Sequence, residues 1–206
     1  MRKYNYFLTT LMLLALNLNL ANAQENNEIK TLFGKPKPLN LNELGFYLAP
    51  SISGTQLDGA NTALFNLRAG LSYKENIAFG AFFNTSLNRP IPVSETVKNV
   101  YLDYWSVGGF TEYTLFSKNI FHLTFPLYVG YGEVEMDNEE GYTELGEAKF
   151  FTVEPSAKLE VNLYKNLRFN LGTGYRFVGD MNYRNFNQSD ISGLTGYIGL
   201  KFGLFR

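Results

Sequence analysis

At 206 residues the chain is long enough for one domain, and its formal net charge of −1 leaves no basic field for nucleic acid. It has no cysteine, which excludes a disulfide framework, a thiolate metal site and a lipidated N-terminal anchor. With 18 Phe, 14 Tyr and 19 Gly beside a single Trp, the composition points to alternating, tightly packed strands.

The first segment reads as a secretory signal. Arg2 and Lys3 supply the positive end, Phe7 to Leu16 the apolar stretch, and Ala21-Asn22-Ala23 a small-x-small cleavage site. Residues 1–23 are therefore expected to be removed as a signal peptide. The apolar stretch falls short of the ~20 residues that a spanning helix needs. Residues 24–42 follow as an irregular periplasmic leader, because Lys35-Pro36-Lys37-Pro38 continues neither a helix nor a central strand. It could tuck into one end of the folded domain, which is expected over 43–206.

From Glu43 onward the dominant period is two. Weaker alternation over 44–53 opens the series. In the next segment Phe65, Leu67, Ala69 and Leu71 oppose Asn66, Arg68, Gly70 and Ser72. Weaker patterns at 77–87 and 100–115 precede Leu123, Phe125, Leu127, Val129 and Tyr131, which oppose His122, Thr124, Pro126, Tyr128 and Gly130. The division is sharpest at 151–163, where Phe151, Val153, Pro155, Ala157, Leu159, Val161 and Leu163 oppose Thr152, Glu154, Ser156, Lys158, Glu160 and Asn162. Similar rows follow from Leu167 to Phe177 and from Gly196 to Leu204. The spacing predicts eight strands.

The connections alternate in length. Tyr73-Lys74-Glu75-Asn76-Ile77, Phe116-Ser117-Lys118-Asn119-Ile120 and Leu163-Tyr164-Lys165-Asn166-Leu167 read as tight hairpins in which Asn takes the left-handed position. Longer polar segments are expected near 54–62, 88–99, 134–148 and 179–192, all at the opposite end.

An apolar sheet face must be buried, inward around a ligand as in a lipocalin or outward against lipid. The polar face here carries Gly45, Gly70, Gly80, Gly108, Gly130, Gly132, Gly172, Gly174, Gly199 and Gly203, and small residues suit the crowded inside of an eight-stranded barrel. The same face carries Arg68, Glu112, Glu154, Lys158, Glu160, Arg168, Arg176 and Lys201, expected to pair with one another as a structural lumen network. Outward aromatics gather toward strand ends. Phe46, Tyr73, Tyr113, Phe121, Phe169 and Phe202 fall near the short turns, and Tyr101, Trp105, Tyr131, Phe151 and Phe177 near the long loops. The fold expected is all-β, an eight-stranded antiparallel up-and-down transmembrane barrel.

In this pattern the whole mature chain resembles the small OmpA/OmpX-like outer-membrane β-barrels of Gram-negative bacteria. The C-terminal strand is the most specific part. Tyr197, Gly199, Phe202, Leu204 and Phe205 look like the signal read by the barrel-assembly machinery, except that Arg206 follows the final aromatic. The resemblance implies residence in the outer membrane among lipids and lipopolysaccharide, as a monomer, with short turns in the periplasm and long loops at the cell surface. It implies little about activity, and the extracellular partner stays open.

Candidate chemistry is sparse. The single histidine, His122, lies three residues after a short turn, at the wrong end for chemistry near the outer leaflet, and reads as a hydrogen-bonded lumen residue. The segment 133–147 carries Glu133, Glu135, Asp137, Glu139, Glu140, Glu144 and Glu147 with no Lys or Arg. Its spacing matches no EF-hand, and it reads first as a solvated charge run, with a calcium site and divalent bridging to lipopolysaccharide phosphates as the lesser readings. The expectation is a non-enzyme without cofactor or resident metal, a structural or surface-interaction barrel displaying loops. The alternatives are a narrow pore or small-solute transporter, and a secreted lipocalin-like binder.

Overall fold

Each period-two segment becomes a strand in the computed structural model, which describes residues 41–95, 100–138, 144–183 and 186–205. The expected signal peptide and almost all of the expected leader lie outside the described residues; Leu41–Glu43 form one 3-10 turn. The strands are β1 (Leu44–Leu57), β2 (Ala60–Tyr73), β3 (Ile77–Ser86), β4 (Val100–Leu115), β5 (Phe121–Asn138), β6 (Glu144–Tyr164) and β7 (Leu167–Val178). A two-residue ribbon, β8 (Asn182–Tyr183) with β9 (Phe186–Asn187), and the helical turn α1 (Gln188–Ile191) precede β10 (Gly193–Leu204). Neighbours pair antiparallel in chain order, and β10 closes on β1, giving an eight-stranded up-and-down barrel apart from the small ribbon.

Side chains on the polar rows point into this barrel and those on the apolar rows point out. Phe125, Leu127 and Val129 on β5, Leu159 on β6, Leu171 on β7 and Ile198 on β10 are all exposed, while His122, Thr124, Glu160, Asn170 and Lys201 are buried. The inward glycines make room for rings. A Cβ at Gly108 would meet the Phe82 ring at 2.9 Å and the backbone of Gly130 at 2.5 Å. One at Gly132 would meet the Phe150 ring at 2.5 Å. These close approaches explain glycine in the middle of strands that it would otherwise weaken.

Four connections differ from expectation. The segment 54–62 is not a long loop: β1 and β2 pair out to Leu57↔Ala60 around a two-residue turn, Asp58-Gly59. Both turn residues have positive φ, 47° and 72°, the arrangement that matches hairpin twist and favours Asp-Gly. The acidic segment 134–148 is mostly barrel wall: β5 and β6 stay paired through Val134↔Ala148 and Asp137↔Glu144, with an irregularity between Glu135 and Asp137. Of its acidic residues, Glu139 and Glu140 lie outside the described residues. In the short turns, the left-handed residues are Lys74, Glu75 and Phe116 rather than the asparagines. The asparagines instead link neighbouring hairpins. Asn76 accepts from Thr114 N at 2.7 Å, Asn162 donates to Asn119 O at 3.1 Å, and Asn166 accepts from Gly203 N at 3.0 Å.

Polarity reverses toward the loop end. Leu57, Leu64, Val100, Leu102, Tyr104, Val134, Met136, Phe150, Val178, Met181 and Ile191 form an apolar cluster inside the barrel. The outward positions beside it include Asp103, Glu135, Asp137, Glu147 and Lys149. This upper section is built like a soluble protein, with an apolar inside and a charged outside. A strand rises about 3.4 Å per residue and tilts by roughly 40°, so a belt about 25 Å tall takes only some 10 residues. The 18 residues of β5 and 21 of β6 reach well beyond such a belt.

Candidate functional site

The lumen holds the expected charges, in an arrangement set by strand register. Glu112 of β4 is the hub. It accepts from Arg68 Nη1 of β2 at 2.8 Å and from Lys201 Nζ of β10 at 2.7 Å, with all three side chains almost wholly buried. Lys201 also lies 2.6 Å from Glu160 of β6, and Arg168 of β7 lies 3.9 Å from the same carboxylate. Arg168 reaches down to Glu75 of the β2–β3 turn at 2.5 Å and stacks on the Phe205 ring at 3.6 Å. The structure thus joins Arg68, Glu112, Glu160, Arg168 and Lys201 into one chain of charges.

The other three have neutral hydrogen-bond partners. Glu154 accepts from the hydroxyl of Tyr197. Lys158 donates to the hydroxyl of Tyr128 at 3.0 Å and lies 3.9 Å from the Tyr197 ring centre. Arg176 sits at the boundary with the apolar cluster, donating to Ile191 O at 2.9 Å and to Thr55 Oγ1 at 3.2 Å. The inward tyrosines Tyr47 and Tyr128, and Glu75 from the turn, were not among the site residues that the sequence singled out, and Tyr197 was singled out only for the assembly signal. Their inward parity was the available signal for the tyrosines. No strand pattern reaches Glu75.

His122 is 0% exposed, on the inner wall near the short turns, directly opposite Glu160 on the neighbouring strand. In the C-terminal strand Phe202 and Leu204 face outward, whereas Tyr197 is buried inside. Phe205 packs against the inner cluster of Tyr47, Ala49, Ala78, Phe82, Phe110 and Tyr128. The last aromatic therefore turns toward the inner cluster instead of extending the outer face.

The outer wall has a contrasting chemistry. An apolar belt runs between two sets of rings, Phe46, Tyr113, Phe121 and Phe202 near the short turns and Trp105, Tyr131, Phe151 and Phe177 near the loops. Above the upper set, Asp103 stands directly opposite Glu135, and Glu135 directly opposite Glu147. Like charges in such positions repel. Arg89, from the connection between β3 and β4, offsets this by donating to Asp103 at 3.1 Å and to Asp137. Lys149 lies 2.7 Å from Glu147 and 3.7 Å from Glu133, and Glu133 accepts from the Trp105 indole at 3.4 Å. The Lys149 hydrogen bond and charge hold the Glu147 carboxyl below its ordinary range, and Glu147, with help from Glu133, raises Lys149. Among the described residues no three carboxylate or histidine side chains converge as metal ligands.

Around this rim the connections are tied to one point. Asp58 N donates to Asp190 O at 2.7 Å, and the Asp58 carboxylate accepts from Ser94 N at 2.7 Å. The β1–β2 turn thereby joins the β3–β4 connection to the helical turn α1, which a capping box from Asn187 and Asp190 closes.

Solved structures share this architecture. Neisserial surface protein A aligns over 80% of this chain and 97% of its own, with a TM-score of 0.57 and 9% identity. The outer membrane protein OprG from Pseudomonas aeruginosa covers 80% of this chain and 97% of its own, at a TM-score of 0.52 and 9% identity. A major outer membrane protein from Thermus thermophilus covers 77% and 99%, at 0.52 and 6%. At such identities the likeness is one of fold. No protein-family model matches the chain, and no curated protein matches it in sequence.

Proposed function

We propose that this chain is a transmembrane barrel of an outer membrane, with a filled lumen, whose role is structural and interactive rather than catalytic and is exercised through its acidic outer rim. The observation that carries this reading is the reversed polarity of the middle section. Exposed Leu, Ile, Val and Phe side chains cover the outside, while five cations and three glutamates are buried within. In water that arrangement would expose a contiguous apolar belt and bury charge at several kcal/mol per ion. Against hydrocarbon the belt is in its proper solvent. Two of the named neighbours are outer-membrane proteins by description and the third a surface protein; they share the fold and support the same placement.

A pore is disfavoured by the packing. The lumen void lined by Arg68, Tyr128, Lys158 and Tyr197 measures about 10 Å³, room for roughly one water, and the apolar cluster closes the loop end above it. A lipocalin-like binder would need the middle section turned inside out. The outer face of the C-terminal strand, with Phe202 and Leu204, is what assembly machinery would contact. Fractionation tests the reading: the protein should partition with outer membranes, need detergent for extraction, and run at different positions on a gel with and without boiling. Recovery of the folded chain in the soluble periplasm would refute it.

A further inference from the structure

We infer that the outer wall carries a site for one anionic glycerophospholipid where the last strand closes on the first, with an acyl chain between Phe46 and Phe202 and the phosphate at Lys165 and Asn166. The inference rests on the membrane reading above and adds to it a lipid of stated charge at a stated place.

The register of the closing strands builds the groove. Phe46 of β1 stands directly opposite Leu204 of β10, and Leu48 directly opposite Phe202. All four side chains face outward and are about half exposed. Between the two pairs lie Tyr47 and Gly203, whose paired backbone forms the floor, since the Tyr47 ring is buried inside and Gly203 has no side chain. Together with Asn166 these residues line an open groove of about 530 Å³. It passes three residues of each strand, roughly 10 Å of wall. An apolar groove attracts little by itself in a bilayer, because the lipid around it is equally apolar. It accepts a chain, and its polar end decides which lipid.

That end is cationic. Asn166 belongs to the turn between β6 and β7, and its backbone oxygen accepts from Gly203 N at 3.0 Å, which fixes the turn beside the groove. Among the described residues the Asn166 side-chain amide makes no hydrogen bond. Lys165, its neighbour in the turn, makes neither a hydrogen bond nor an ion pair, and both side chains are exposed. The carboxylates of the adjoining elements are engaged, Glu43 at 3.4 Å from Lys74 and Glu75 at 2.5 Å from Arg168. An ammonium group and an amide donor thus stand uncommitted at the turn end of an apolar groove. A phospholipid presents its phosphate and its chain in that same order, from the interface inward. One cation suits one phosphodiester, whereas a lipopolysaccharide would leave most of its phosphates without a partner here.

The test places the isotope-labelled mature chain in nanodiscs of phosphatidylcholine, with phosphatidylglycerol replacing a rising fraction of the lipid. NMR follows the Gly203 backbone amide and the Asn166 side-chain amide, and both should shift and saturate. Lys165→Gln should raise the fraction needed for half-saturation roughly fivefold, the worth of one Lys at an anionic lipid surface. Lys118→Gln removes the same charge from the turn between β4 and β5, on the far side of the barrel by strand order, and should leave half-saturation unchanged. Lipopolysaccharide in place of phosphatidylglycerol should need a higher fraction. Three results would each overturn the site and leave the membrane reading standing: no shift with phosphatidylglycerol, equal effects of the two variants, or tighter binding of lipopolysaccharide. A folded chain that stays outside the discs would overturn both.

Discussion

Neutralising Glu112 is the most direct perturbation of the lumen. In Glu112→Gln the side chain keeps its shape and loses its charge. Arg68 then has no carboxylate among the described residues, whereas Lys201 keeps Glu160 at 2.6 Å. One buried cation is left uncompensated, not two. Breaking a buried pair by removing one partner costs about 3–5 kcal/mol. The amide oxygen can still accept one hydrogen bond, so the lower end, about 3 kcal/mol or roughly a hundredfold in the folding equilibrium, is expected. Equilibrium unfolding in urea, with the barrel in lipid vesicles and Trp105 fluorescence as the signal, measures this, and the boiled and unboiled gel mobilities supply a second readout. Arg68→Met in the same chain should recover much of the loss, since the orphaned charge goes with it. Glu147→Gln on the outer rim should be nearly silent. If Glu112→Gln cost no more than Glu147→Gln, the lumen would be hydrated like a surface, and the filled-barrel argument would fail.

Arginine placed at Leu127, in the middle of the apolar belt, should cost about 2–4 kcal/mol in vesicles. Asp103→Asn, on the rim, should cost far less in the same assay; equal costs would mean that the belt is misplaced. Gly59→Ala puts a Cβ on a residue at φ 72°, and urea unfolding should show a loss of about 1 kcal/mol with the fold retained. No loss would contradict the two-residue turn. By NMR, the Glu147 carboxyl should titrate below its ordinary value and return toward it in Lys149→Met. The pair's small contribution is present at neutral pH. It is lost as pH falls through the lowered Glu147 range, and again as pH rises through the raised Lys149 range, and an ordinary Glu147 titration would show that the pair does not form in solution.

The barrel itself was legible because alternation survives in every strand and short turns recur at regular intervals. The lumen charges were legible for the same reason: Arg68, Glu112, Glu160, Arg168 and Lys201 share inward parity. What alternation cannot say is which inward charges meet, so Lys158 and Arg176, expected to pair with carboxylates, instead bond Tyr128 and the Ile191 carbonyl. The upper section was hidden by its own chemistry. Above Trp105 and Tyr131 the apolar residues switch to the inward positions, Leu102 and Val134 among them, and the outward ones become acidic. A rule that equates polar with lumen, or acidic with loop, misreads both. The same polarity disguised the Asp58-Gly59 turn, because Gln56, Asn61 and Thr62 flank it with residues common in loops.

The switch at Trp105, Tyr131 and Phe151 also gives the molecule a waterline. Were the barrel to sink by one pair of residues, the Glu133 and Asp103 level would enter hydrocarbon; were it to rise by as much, Leu123 and its neighbours would approach the water at the short-turn end. Both displacements are opposed, so vertical position is a stiff coordinate. A bilayer thicker than the belt must then thin around the protein, at a fraction of a kcal/mol per Å of mismatch. The chain would concentrate where the lipid already matches it.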